Sequence, residues 1–103
     1  MPFVEEVHKD DIGTVFLVTL YDGSTALDVS GAIVKQIVFQ DADGTVTTQT
    51  ATFTTDGTDG KIQYTTIADD LSVVGKWKIQ GYVQLASGQW KSNVGNFRVY
   101  SNL

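Results

Sequence analysis

Residues 76–85 read Lys76-Trp77-Lys78-Ile79-Gln80-Gly81-Tyr82-Val83-Gln84-Leu85, and this stretch decides the fold. Trp77, Ile79, Gly81, Val83 and Leu85 share one parity; Lys76, Lys78, Gln80, Tyr82 and Gln84 share the other. Successive side chains of a β-strand point to opposite faces, so the first set belongs to a core and the second to solvent or a partner. Trp77, Ile79 and Val83 are expected inside, and Tyr82 outside.

The same reading extends outward in both directions. Turn signals recur at Asp22-Gly23-Ser24, Asp43-Gly44, Asp56-Gly57, Asp59-Gly60 and Ser87-Gly88. Gly tolerates positive φ and Asp bonds its own backbone, which favours these pairs in hairpins. Between them lie segments rich in Val, Ile, Thr, Phe and Tyr, the residues that favour strands. Strands are expected over 13–21, 34–40, 46–54, 61–66, 76–85 and 89–100, with a further edge strand around 3–8. Only 67–74 could make a helical turn, and it is too short for an independent helix. Segment 13–21 is apolar on both faces, so it is expected to be central or covered. The last strand breaks parity, because Phe97 and Val99 are odd whereas Trp90 and Val94 are even. A bulge at Gly95-Asn96 would turn all four inward. The expected architecture is all-β, an antiparallel sandwich of six to seven strands.

Composition narrows the function. The 103 residues suit one domain, and 42% hydrophobic content is enough for a core. Residues 1–11 are expected as an N-terminal arm or edge strand, and 12–103 as the sandwich. Seven Lys plus Arg against twelve Asp plus Glu give a net charge of −5, which disfavours nucleic acid because phosphate binding needs clustered cations. No Cys is present, so disulfides, cysteine-ligated zinc and a thiol nucleophile are excluded. The start of the chain is acidic and soon interrupted by charge, unlike a secretory signal. The longest apolar run, 15–18, is far short of the ~20 residues that span a bilayer as a helix. Folding in a cytosol, with no secretion and no membrane partner, is the expectation.

Candidate chemistry is sparse. Asp10-Asp11, Asp41-x-Asp43 and Asp69-Asp70 are acidic pairs. An EF-hand loop counted from Asp41 would place Thr45 and Thr52 at the fifth and twelfth positions, where a ligand and a Glu are needed. Asp56-Gly57-Thr58-Asp59-Gly60 could clip a hard cation, but these are also ordinary turn formers. No metal, cofactor or catalytic residue is assigned. His8, the single His, has no triad arrangement around it, and no Gly-x-Ser-x-Gly elbow or phosphate loop occurs. The expectation is a protein without enzymatic activity. Tyr82, with Trp90 and Tyr100 and the polar Gln80, Gln84 and Asn96, could instead form a glycan-binding surface.

Two resemblances add to this reading. Asp70 through Ile79 resembles the corner preceding strand F of immunoglobulin-like sandwiches, with Trp77 in place of the usual Tyr and Ile79 at the position often held by Cys. The Trp77 indole N–H must then find another backbone acceptor. Over about 12–100 the chain is similar to the immunoglobulin-like module of tailed-bacteriophage structural proteins, notably the N-terminal domain of the baseplate upper protein family. The residues that carry this are Ile12-Gly13-Thr14-Val15-Phe16, Leu20-Tyr21-Asp22-Gly23, Leu27-Asp28-Val29-Ser30-Gly31-Ala32 and Ile37-Val38-Phe39 with Asp43-Gly44-Thr45-Val46. Asp59-Gly60-Lys61-Ile62-Gln63-Tyr64-Thr65, Asp69-Asp70-Leu71 through Gly75-Lys76-Trp77-Lys78-Ile79-Gln80 and the Ser87-Gly88 hairpin complete them.

The resemblance implies an immunoglobulin-like fold and a virion component that joins proteins in the particle, as a baseplate or tail adaptor. Its partners would be tail, baseplate or major capsid proteins, with self-association possible and a host glycan as a further alternative. No coiled-coil or receptor-binding segment follows in this sequence, which raises capsid decoration or a head fibre as the alternative role. Phe3, Val4 and Val7 are the expected apolar anchors of the arm.

Overall fold

The computed structural model describes residues 7–101, and all regular structure among them is β. The strands are β1 (Val7–His8), β2 (Val15–Thr19), β3 (Tyr21–Asp22), β4 (Thr25–Ala26), β5 (Val34–Gln40), β6 (Val46–Thr50) and β7 (Thr52–Phe53). They are followed by β8 (Lys61–Thr65), β9 (Gly75–Leu85), β10 (Gly88–Lys91) and β11 (Gly95–Tyr100). The stretch that opened the reading is β9, the longest strand. It pairs β5 along one edge and the β10–β11 run along the other. Its inner residues Trp77, Ile79, Gly81 and Val83 are buried, while Lys76 and Lys78 are exposed.

Two sheets enclose the core. The larger runs β1-β11-β9-β5-β6 with β10 also on β9; the smaller runs β2-β8-β7; β3 and β4 form a separate hairpin. The segment expected as one strand over 46–54 is split at Ala51 into β6, which pairs β5, and β7, which pairs β8. Ala51 is buried and donates its N–H to the Lys35 carbonyl, so a small side chain makes the corner where the chain changes sheet. The sheets curl into a half-barrel joined along this side.

One expectation needs correction and two are narrowed. The sheets are mixed, because β1 runs parallel to β11 with Val7 opposite Val99 and His8 opposite Tyr100. No tight turn links these strands, so nothing forces the antiparallel direction that a hairpin imposes. Of the two readings of the N-terminal segment, arm or edge strand, the described part is an edge strand: β1 ends the larger sheet, Lys9 N–H bonds the Tyr100 carbonyl, Asp10 N–H the Leu71 carbonyl, and His8 N–H the Asp11 carboxylate. Finally, of the two expectations for 13–21, central or covered, β2 does not meet the first, while its Phe16 and Val18 are buried. It lies at the edge of the smaller sheet although its segment is apolar on both faces.

Aromatic rings fill the space between the sheets. Phe16 from β2 lies 4.7 Å from Phe97 and 5.4 Å from Phe39 between centroids, and Trp77 lies 5.6 Å from Phe97. Tilted and edge-on pairs at these separations add to the stabilisation from buried area. Trp77, Ile79, Val83 and Phe97, the expected core set, are all buried. The Trp77 indole donates to the Val73 carbonyl at 2.9 Å, which is the backbone acceptor the corner required.

Candidate functional site

The parity break near the end of the chain is resolved by a bulge. Lys91 lies opposite Tyr82 and Gly95 opposite Ile79, so the three residues 92–94 face only Gln80 and Gly81. The bulge therefore precedes the expected Gly95-Asn96 position. A side chain rather than a glycine makes it work: the buried Ser92 hydroxyl accepts the Gly81 N–H at 2.7 Å and donates to the Asn93 carbonyl at 2.9 Å. Ser92 N–H in turn bonds the Gly81 carbonyl. Trp90 faces Val83 and is half-buried, whereas Val94 is 53% exposed instead of inward.

Among the described residues, the bulge forms one wall of an open seam. A groove of about 770 Å³ runs between residues 92–96 and the β2 side, where Leu17, Val18, Thr19, Tyr21 and Lys61 line it. β2 is bonded to β8 through its even-numbered residues, as the flanking bonds Thr66 N–H to Thr14 O and Leu20 N–H to Gly60 O require. Backbone groups alternate in direction along a strand, so Val15, Leu17 and Thr19 direct theirs away from β8, toward the seam. On the opposite wall, the Lys9–Tyr100 bond places even-numbered residues on the outer edge of β11, so Asn96 and Arg98 direct their backbone groups there. Among the described residues, β1 covers that edge only at Val99 and Tyr100. Among the described residues, two strand edges without a ladder partner thus face one groove lined by apolar and polar side chains, an arrangement suited to an added strand.

The acidic residues act within their own turns. Asp56 accepts the backbone N–H and the hydroxyl of Thr58, and Asp28 does the same with Ser30, which holds both carboxyls below the usual carboxylate range. Asp59 accepts the Lys61 N–H, and Asp41 accepts the N–H groups of Asp43 and Thr45. Asp41, Asp69 and Asp70 border a smaller cavity of about 150 Å³ beside Tyr64 and Trp77. There the Asp70 carboxylate accepts the Tyr64 hydroxyl and the Ile67 N–H. Burial, then the bond to Asp70 and its charge, push the Tyr64 hydroxyl up to about 12. No group of three His, Asp or Glu side chains among the described residues converges as a metal site.

The expected contact residues separate. Val7 is fully buried opposite Val99, so it is a core residue of this chain and not an anchor for another. Phe3 and Val4 lie outside the described residues. Tyr82 is half-buried on the outer face of β9, and its hydroxyl donates to Gln89 at 3.0 Å. Trp90, opposite Val83, is on the other face of the sheet, and Tyr100 lies past the Val99–Gly75 pair at the far end of β9. Seven residues of strand, roughly 23 Å, separate Tyr82 from Gly75. The three aromatics proposed for a glycan do not converge. The seam residues Leu17, Thr19 and Asn93 carried no assignment in the sequence, and Gly95 only that of the expected bulge, although two-faced apolarity in 13–21 and the parity break both pointed there. No protein-family model matches the chain, and no curated protein matches it.

Proposed function

We propose that the chain is a non-enzymatic structural component of a tailed-phage virion, an immunoglobulin-like module that attaches protein to protein in the particle. The role that fits first is a baseplate or tail adaptor; capsid decoration or a head fibre is the alternative. The two sheets, the Trp77 corner and the order of the Asp-Gly turns support the immunoglobulin-like reading, with the sandwich open along one side. The observation that carries the attachment reading is the seam: among the described residues, two strand edges without ladder partners flank one groove of mixed polarity, which would take a strand from another virion protein without any chemistry. Main-chain bonds would supply affinity and the groove would select side chains. Repetition in a symmetric particle would turn weak single contacts into durable attachment.

Leu17→Pro tests this. Proline removes an N–H that points into the seam and not into the β8 ladder, and edge strands tolerate it. Incorporation into particles is expected to fall about tenfold, as blocked edge pairing requires, while the folded circular-dichroism signal persists. Undiminished incorporation by the folded variant would overturn the reading. Imaging labelled protein on whole particles separates head from tail. Retention on a host polysaccharide that Tyr82→Ala abolishes would assign the glycan role instead.

A further inference from the structure

We propose that the outer face of the larger sheet binds a short acidic segment of a partner protein, with carboxylates on Lys76, Lys78 and Arg98 and an apolar side chain beside Val38, Val46 and Val94. This surface adjoins the seam, since Val94 lines both, but it is made of side chains on a sheet face and not of strand edges. It rests on the attachment reading only for the partner's being a virion component. The distribution of charge is its basis. The chain carries a net charge of −5, yet five of its seven Lys and Arg lie on strands of the larger sheet: Lys35, Lys76, Lys78, Lys91 and Arg98. The described strands of that sheet hold no Asp or Glu.

Register places three of these cations together. Trp77 and Ile79 are buried, so Lys76 and Lys78 take the outer face, and both are exposed. Arg98, also exposed, lies directly opposite Lys76, while Lys78 lies between Gln40 and Asn96. Direct and diagonal neighbours in such a ladder are about 5–8 Å apart, and like charges directly opposite cost stability. Among the described residues no ion pair engages any of the three. The acids near this end are taken up elsewhere. Asp41 follows Gln40 directly, yet its carboxylate accepts the N–H groups of Asp43 and Thr45, and Asp70 accepts the Tyr64 hydroxyl and the Ile67 N–H. A like-charge pair left standing in a chain rich in acids calls for an anion from outside. The Arg98 guanidinium lies 5.8 Å from the Tyr100 ring centroid, a contact that steadies its planar fork for a carboxylate. Beside Lys78, Val38, Val46 and Val94 line a shallow hollow of about 180 Å³ with Gln40 and Gln80. Cations next to an apolar hollow suit a peptide with mixed side chains. A long polyanion would instead run onto the acidic turn at Asp41 and Asp43, where nothing neutralises phosphate.

The full chain is titrated with a short synthetic peptide in which Glu residues flank a Leu. Amide resonances of Val38, Lys76, Lys78, Asn96 and Arg98 are expected to shift, and to stay in place with the same peptide carrying Gln for Glu. Lys76→Gln and Arg98→Gln should each weaken binding about tenfold, the loss of one charge-assisted bond. Lys35→Gln makes the same charge change away from the cluster and should leave binding unaltered. Lys76→Gln should also raise the urea midpoint of the free protein, because it removes the like-charge pair. A lowered midpoint would assign the lysine to the fold and overturn the proposal. Resonances that do not shift would overturn it, as would tighter binding of a single-stranded DNA oligonucleotide at the same salt. Self-association that Arg98→Gln abolishes would give the face to a second copy and overturn it as well. In particles, Lys76→Glu with Arg98→Glu is expected to lower incorporation about tenfold or more. If the peptide binds and this variant incorporates fully, the acidic-segment site stands and its use in attachment fails. The seam is read separately, by Leu17→Pro.

Discussion

Gly81 of β9 sits against Val18 of β2, where the two sheets pack together. A Cβ built there would lie 2.7 Å from Val18 Cγ1, and both residues are buried. Gly81→Ala is expected to destabilise the protein by about 1–3 kcal/mol, the usual cost of forcing an extra methyl into a packed core. Adding Val18→Ala should recover part of that loss, because it removes the atom that clashes. Urea unfolding of the single and double variants measures the coupling; strict additivity would mean that the clash is relieved elsewhere. The glycine's parity was visible in the sequence, since it occupies an inward position between Ile79 and Val83. What it touches was not. A glycine at an inward site reads equally as a weak point in a strand or as a place where another element comes close, and only the position of β2 distinguishes these.

At the scale of elements, the β10–β11 run is the instructive one. Its strands were legible from Val, Trp and Phe content, and the parity of Trp90 and Phe97 announced an extra residue. Gly95 attracted the bulge because glycine commonly occupies one. The chain uses Ser92 instead, whose hydroxyl satisfies the Gly81 N–H that the interrupted ladder leaves behind. Ser92→Ala should therefore cost about 1–3 kcal/mol, the penalty for a buried donor left without a partner. Thermal or urea unfolding checks it, and a cost near zero would show that water replaces the hydroxyl. The parallel β1–β11 pair carried no local signature at all. Two residues joining across nearly the entire chain leave no periodicity, and an apolar Val7 reads the same in an edge strand as in a docking arm. The two apolar faces of β2 were legible, but cover by a neighbouring strand and cover by an added one make the same pattern.

For the whole molecule, Tyr64 and Asp70 tie the smaller sheet to the corner that leads into β9. The Tyr64 hydroxyl is raised from 10.0 to about 12, chiefly by burial and then by Asp70. Between those values the unfolded chain loses a proton that the folded chain retains. The stabilisation is complete below pH 10 and is lost as pH rises through about 12. Asp70→Asn should lower the phenol's titration midpoint and make alkaline loss of stability shallower, read by phenolate absorbance and by urea midpoints across that range. Identical midpoints in the two proteins would show that burial alone holds the hydroxyl. A consequence of another kind follows from the parallel pairing of Val7 with Val99. The first described strand pairs with the last, so this contact closes almost the whole described chain into one loop, and such non-local pairing is intrinsically slow to form.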